Sequence, residues 1–457
     1  MKKSILLCIF LLTFAINGFS DLTTISGTLK NGSGYTVRLM TYNDQLSYIR
    51  KTLASTVAGE DERFSLSVDI SAVTYCWIDI EFQQAELFIQ PGQSYEVEID
   101  LAGDPLSMSY YNRRTLDNRI IRDDSMQLNN SIQDFNEIYN DFLLNISDNI
   151  RQQNSRVAYE TFMTAVELRF QGISSEYFDN YIRYKSASMQ LFMRIKSREK
   201  IGTEFLADRP VLFNHLEYMD FFHLYFDKYF VTNGKYFNYS KTYDMINGKA
   251  PLAEILDSLA VDPALKQRPA MELLLLCGLK GLYSMPEFSK DRITALVKEL
   301  TIAGSQPGIR ELAANLLVRF KRLKPGSPAP GFALETIAGG QKYSLPEFTG
   351  KKLYLAFFES DNPASQSELG QISEIYDEFK NDVSFVAVSV DKNRDRLMEY
   401  IDKADAPWLF LHYGGDLDLL ENYDAVAFPC FILIGADGKI IRCPAPSPSE
   451  NIRKLFD

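Results

Sequence analysis

Lys352-Leu353-Tyr354-Leu355-Ala356-Phe357-Phe358-Glu359-Ser360-Asp361-Asn362-Pro363-Ala364-Ser365 decides how the last third of this chain is read. The apolar run over 352–358 predicts a strand. Asn362-Pro363 is turn chemistry, with proline suited to a helix start, and Ser365 fits the first turn of a helix over 365–381. Glu359 and Asp361 stand near that helix N-terminus, where its dipole favours anions; the plainer alternative is a solvated acidic loop.

Outward from this corner, residues 325–457 alternate strands and helices, the pattern of a mixed or parallel sheet. Further strands are expected at 382–390, 430–434 and 439–442, the last two joined about Gly435-Ala436-Asp437-Gly438. Helices fit 394–403 and 449–456. The domain opens near Lys324-Pro325-Gly326-Ser327-Pro328-Ala329-Pro330-Gly331-Phe332, where three prolines and two glycines in nine positions end the preceding helices.

Five landmarks occur here in order: Gly326-Ser327-Pro328-Ala329-Pro330-Gly331-Phe332-Ala333-Leu334, Leu345-Pro346-Glu347-Phe348-Thr349-Gly350-Lys351, Phe357-Phe358-Glu359-Ser360, Phe385-Val386-Ala387-Val388-Ser389-Val390-Asp391 and Phe428-Pro429-Cys430-Phe431-Ile432-Leu433-Ile434. Together they resemble the TlpA-like and peroxiredoxin-like branch of the thioredoxin superfamily. The resemblance implies an α/β thioredoxin-like fold and a cis peptide bond before Pro429. It also implies a groove at Pro429, Phe428 and Pro363 where a partner's extended backbone can pair. The family's Cys-x-x-Cys positions are Asn362 and Ser365 here, and Ala356 falls where many members keep a buried acid. An amide and a hydroxyl form no thiolate and close no disulfide.

One foothold remains for thiol chemistry. Cys430 directly follows Pro429, and a four-residue turn over 435–438 would set Cys430 opposite Cys443. Directly opposed residues have Cα atoms about 4.5 to 5.5 Å apart, within disulfide range. A one-residue change in the turn would send the two side chains to opposite faces. Ser365 has no Gly-x-Ser-x-Gly elbow around it and is not read as a hydrolytic nucleophile.

Residues 21–105 read as short alternating strands between turns, a sandwich or small barrel. Ile25-x-Gly27, Arg63-Phe64-Ser65-Leu66 and Phe88-Ile89-Gln90-Pro91-Gly92 resemble the small β domain that precedes thioredoxin-like domains in many Gram-negative envelope proteins. Residues 106–322 read as helical. Ile132, Phe135, Ile138, Tyr139, Phe142 and Leu143 form one stripe, and Phe221-Phe222-His223-Leu224-Tyr225-Phe226 is dense in aromatics. The plain reading is an aromatic core; the sharper one is a groove for an extended peptide or an apolar ligand. His215 and His223 lack partners at ligand spacing and are read as ordinary polar residues.

Residues 1–20 read as a signal peptide: Lys2 and Lys3, an apolar run over 5–16, then Gly18-Phe19-Ser20. The run is shorter than the roughly 20 residues a bilayer span needs. The net charge is −12, and −14 once Lys2 and Lys3 are removed, with no basic stripe, which argues against a nucleic-acid partner. Four cysteines remain after the leader, Cys76, Cys277, Cys430 and Cys443, too few for a disulfide framework. No Cys/His cluster has metal-ligand spacing, and no cofactor is expected. The sequence therefore predicts a multidomain, exported protein, soluble after leader removal, with a β-sandwich-like domain over 21–105, a helical region over 106–322 and a thioredoxin-like domain over 323–457. Its expected work is binding a protein or peptide of the cell envelope without redox turnover. The alternative is a thiol-disulfide oxidoreductase of the TlpA-like type using Cys430 with Cys443.

Overall fold

The computed structural model describes residues 22–80, 83–101, 114–116, 118–123, 128–145, 154–391, 393–425 and 427–456. The leader expected over 1–20 lies outside the described residues.

The N-terminal strands are β1 (Thr23–Lys30), β2 (Thr36–Tyr42), β3 (Arg50–Val57), β4 (Arg63–Val68), β5 (Thr74–Ile80), β6 (Gln83–Ile89), β7 (Ser94–Asp100), β8 (Arg114–Thr115) and β9 (Asn118–Asp123). They form two sheets, ordered β4-β1-β7-β9 and β3-β2-β5-β6-β8. Alternation sets which side chains enter the core: along β4, Phe64, Leu66 and Val68 are buried while Arg63, Ser65 and Ser67 face out. β1 and β7 run parallel with Gly27 opposite Val97. A Cβ at Gly27 would sit 2.1 Å from the Val97 carbonyl oxygen, so this close approach of two backbones requires glycine. The sheets extend to Asp123, past the boundary expected at 105. β8 and β9 escape a periodicity reading because they are short, charged edge strands.

Helices follow from Leu128 to Lys321, the longest being Leu128–Leu144, Ser155–Arg169, Glu176–Met193, Arg268–Leu282, Lys290–Ala303 and Pro307–Lys321. Asn154, Ser175 and Ser289 each accept an N–H of the first turn through the side chain. The aromatic segment is core: Phe221 and Phe222 are fully buried. A smaller cluster joins Phe135, Phe178 and Tyr181 to Phe88 of β6. The Asn129 amide completes that seam, accepting from the Phe88 N–H at 2.7 Å and donating to its carbonyl at 2.8 Å.

The C-terminal strands are β10 (Ala333–Thr336), β11 (Lys342–Ser344), β12 (Lys352–Phe358), β13 (Val383–Ser389), β14 (Leu409–His412), β15 (Cys430–Ile434) and β16 (Ile440–Arg442), in the order β11-β10-β14-β13-β12-β15-β16. β12, β13 and β14 are parallel, and β15 runs antiparallel to β12. Central β12 is buried on both faces: Leu353, Leu355 and Phe357 enter one core, Tyr354, Ala356 and Phe358 the other. That is why its sequence reads as an unbroken apolar run.

The domains are tied by polar contacts. Asn315 donates to Asp44 at 2.8 Å, and the Arg319 guanidinium donates to the Ser47 carbonyl at 2.7 Å. Asp79, almost fully buried, accepts from Arg38 at 2.7 Å and pairs with Arg50 at 3.3 Å. The same arginines reach the helix Leu417–Asn422 of the C-terminal domain, Arg38 pairing with Asp418 at 3.3 Å and Arg50 with Glu421.

Candidate functional site

β12 ends at Phe358, and the helix Pro363–Phe379 begins five residues later. Asn362 is its N-cap. Its Oδ1 accepts from the N–H groups of Ala364 at 2.9 Å and Ser365 at 3.2 Å. Its Nδ2 donates to the Phe428 carbonyl at 3.2 Å. One side chain therefore satisfies the orphan donors of the helix start and fastens the helix to the loop before Pro429. Ser365 is fully buried, and its Oγ has no hydrogen-bond partner.

The Phe428–Pro429 bond is cis, as is Cys443–Pro444. Beside them opens a groove of about 580 Å³ whose walls include Pro429, Cys430, Arg442, Pro444 and Ser447. Of the three groove residues expected from sequence, only Pro429 lines it. The Phe428 side chain is buried in the core and offers only its backbone toward Asn362. Pro363 is exposed at the helix start.

The cysteine geometry departs from expectation. Gly435 N–H donates to the Lys439 carbonyl, which makes the turn one residue shorter than foreseen. Ile434 then faces Ile440, the register slips by one residue, and Leu433 faces Arg442. Two one-residue changes add, so continuing that register puts Ile432, not Cys430, opposite Cys443. An even displacement keeps both thiols on one face, against the same core, and both are free. Burial pushes the Cys430 thiol up to about 12, helped by Cys443 and Asp424. Burial and Asp424 push Cys443 up to about 11, against the pull of Arg322. Both stay protonated near neutrality.

A polar cluster at the ends of β12 and β13 was not foreseen as a site. Asp391 accepts from Ser360 N–H at 3.0 Å, Ser360 Oγ at 2.9 Å and Ser389 Oγ at 2.7 Å. His412 Nε2 donates to the Asp391 carbonyl at 2.7 Å, and its Nδ1 accepts from Gly414 N–H at 3.0 Å. That arrangement holds the neutral tautomer, and burial lowers the His412 pKa. Burial raises Asp391, against the bonds from Ser389 and Ser360. Glu359 is raised by burial and then by Asp391 and Asp361. Exposed Asp361 pairs with Arg396 at 3.1 Å, the solvated reading of that loop. The available signal was position, since Ser360 and Asp391 follow the C-terminal ends of adjacent parallel strands, where site residues gather.

A family model described as thioredoxin-like matches residues 350–440. The C-terminal domain is thioredoxin-like. It is related to thiol-disulfide oxidoreductase ResA of Bacillus cereus, 24% identical over 155 residues, 34% of this chain and 87% of the relative. ResA of Bacillus subtilis is 24% identical over 131 residues, 28% of this chain and 72% of the relative. Among solved structures, the thioredoxin domain of a thiol-disulfide oxidoreductase from Bacteroides vulgatus is 24% identical, covering 29% of this chain and 95% of that chain with a TM-score of 0.27. A thiol:disulfide interchange protein from a Bacteroides species is 25% identical over 29% of this chain and 89% of that chain, with a TM-score of 0.27. Among the described residues, no helix of the thioredoxin-like domain or of the rest of the chain is long and apolar enough to cross a membrane.

Proposed function

We propose that the thioredoxin-like domain is a redox-silent binding module that holds an extended protein or peptide segment of the cell envelope beside Pro429, in a chain exported by its residues 1–20. The observation that carries this reading is the double use of Asn362. Both polar ends of its side chain are committed to structure, at the place where an electron-transferring member would need a thiolate. Ser365 behind it is sealed from solvent. The groove beside Pro429 keeps room for a chain. Insulin reduction by the purified protein with a dithiol reductant tests the proposal: a rate equal to that of reductant alone is expected, and turnover well above it refutes redox silence.

A second reading has its own observation. Cys430 lines the groove next to Pro429, Cys443 lies on the same face, and the relatives are thiol-disulfide oxidoreductases by name. On this reading the two thiols replace the lost pair. Cys430→Ser separates the two by exchange activity alone: it abolishes that of an oxidoreductase, whereas a silent binder has none to lose.

A further inference from the structure

A second cavity lies in the helical region, away from the thioredoxin-like domain. It is about 280 Å³ and is built from the aromatic segment and the helix Arg268–Leu282. Phe222, Phe226, Phe230, Leu274 and Leu282 form its buried floor. Tyr229 presents only its ring, because its hydroxyl is turned away to donate to Asp262 at 2.9 Å. The space exists for two backbone reasons. The chain enters a π-helical turn over Tyr229–Asn233, preceded by Lys228 at φ 50°; such turns occur often at functional sites. The facing helix carries Gly278 and Gly281 rather than side chains that would fill the gap. Gly278 is required by contact, since a Cβ there would meet the Phe230 ring at 2.2 Å. At Gly281 nothing lies within 4 Å of where a Cβ would stand, so that glycine is not demanded by packing and leaves the cavity open.

The polar groups at the wall carry no net charge. His223 is kept neutral by burial and by the charge of Lys280. The Cys277 thiol is held protonated by burial. Asp227 and Lys228 also line it, one formal charge of each sign. Apolar cavities of about 150 Å³ take up a benzene ring, so this one, at about 280 Å³, accommodates roughly twice that bulk.

We infer that this cavity binds a neutral small molecule with an alkyl or aryl body of about two fused rings, its hydrogen-bonding end at His223. The site is independent of the groove beside Pro429.

The probe is 1-naphthol, followed by its fluorescence and by the thermal midpoint of the full chain. Saturable binding with a raised midpoint is expected, with 1-naphthoate at least tenfold weaker. Gly281→Leu fills the cavity from the helix and is expected to weaken 1-naphthol at least tenfold without lowering the ligand-free midpoint. Gly281→Ala relieves the helical cost of glycine but leaves most of the space, and should bind within about threefold of the parent. Val231→Phe fills the cavity from the opposite wall and serves if Gly281→Leu fails to fold. No binding to the parent, or undiminished binding to both filled variants, overturns the site. Equal affinity for naphthoate overturns the assignment to neutral ligands.

Discussion

The side-chain amide of Asn362 donates to the Phe428 carbonyl at 3.2 Å, joining residues 66 apart in sequence. This bond links the start of the helix to the cis-proline loop, and its strength is measurable by substitution. Asn362→Ala removes the cap and the cross-link together and should cost about 1–2 kcal/mol. Asn362→Asp keeps the cap acceptor and loses the donor. Hydrogen exchange at the amides of Ala364 and Ser365 should accelerate strongly in the alanine variant and little in the aspartate variant, while the Phe428 loop loosens in both.

Placing sulfur at the corner should create exchange chemistry. Asn362→Cys combined with Ser365→Cys places two thiols at the N-cap and first turn of the helix Pro363–Phe379, where the dipole favours a thiolate. The double variant is expected to form an internal disulfide under air and to accelerate insulin reduction, with each single variant inactive in turnover. An inactive double variant would show that the corner needs more than two thiols to exchange disulfides.

Ser365 makes a simpler prediction. Its hydroxyl is buried without a partner, so Ser365→Ala should be neutral or stabilising by up to about 1 kcal/mol, read as the urea midpoint. Asp79→Ala should do the reverse. It takes the buried carboxylate from Arg38 and Arg50, whose side chains are only 14% and 12% exposed and which keep Asp418 and Glu421 as partners; losing charged hydrogen bonds of this kind costs about 1.5–3 kcal/mol. Proteolysis near the helix Leu417–Asn422, which those arginines reach, should quicken at the same time.

The pH dependence has a definite sign at His223, whose pKa is lowered to about 4, chiefly by burial and then by Lys280. Between pH 7 and 5 the unfolded chain takes up a proton at this imidazole and the folded protein does not. Stability present at pH 7 is therefore lost on acidification, by about 2 kcal/mol at pH 5. His223→Gln should remove that part of the decline, measured as the change in urea midpoint between the two pH values. The raised carboxyls of Glu359 and Asp391 act in the opposite direction and are common to both proteins.

Alkylation provides a thiol test. With Cys430 near 12 and Cys443 near 11, iodoacetamide at pH 7.5 should modify the folded protein far more slowly than the urea-unfolded chain, with Cys443 the faster of the two. Fast native labelling at Cys430 would favour the oxidoreductase reading.

Local pattern made much of the thioredoxin-like domain legible. The run over 352–358 is the observed β12, and Asn362-Pro363 starts the helix as turn chemistry requires. What the pattern cannot carry is contact between distant residues. Ser360 and Asp391 are 31 positions apart, and nothing local marks them as partners. The hairpin failed differently: its strands were evident, but a shorter turn and a slip near Ile434 moved the expected Cys430–Cys443 opposition by two residues. The tie from Asn362 to Phe428 is equally invisible in the sequence, because its amide donor finds its acceptor only through the fold.

The loop that receives Asn315 and Arg319 is synthesised long before them: Asp44 precedes Asn315 by 271 residues and Ser47 precedes Arg319 by 272. At ordinary translation rates that delay is on the order of tens of seconds. In the folded chain Asp44 also accepts from Leu46 N–H at 2.8 Å and Ser47 Oγ at 2.6 Å, bonds within its own loop that need nothing from residue 315 onward. The socket is held by local bonds and its plug comes from far along the chain, so truncation before Asn315 should leave the N-terminal sheets folded but with an unmet docking face.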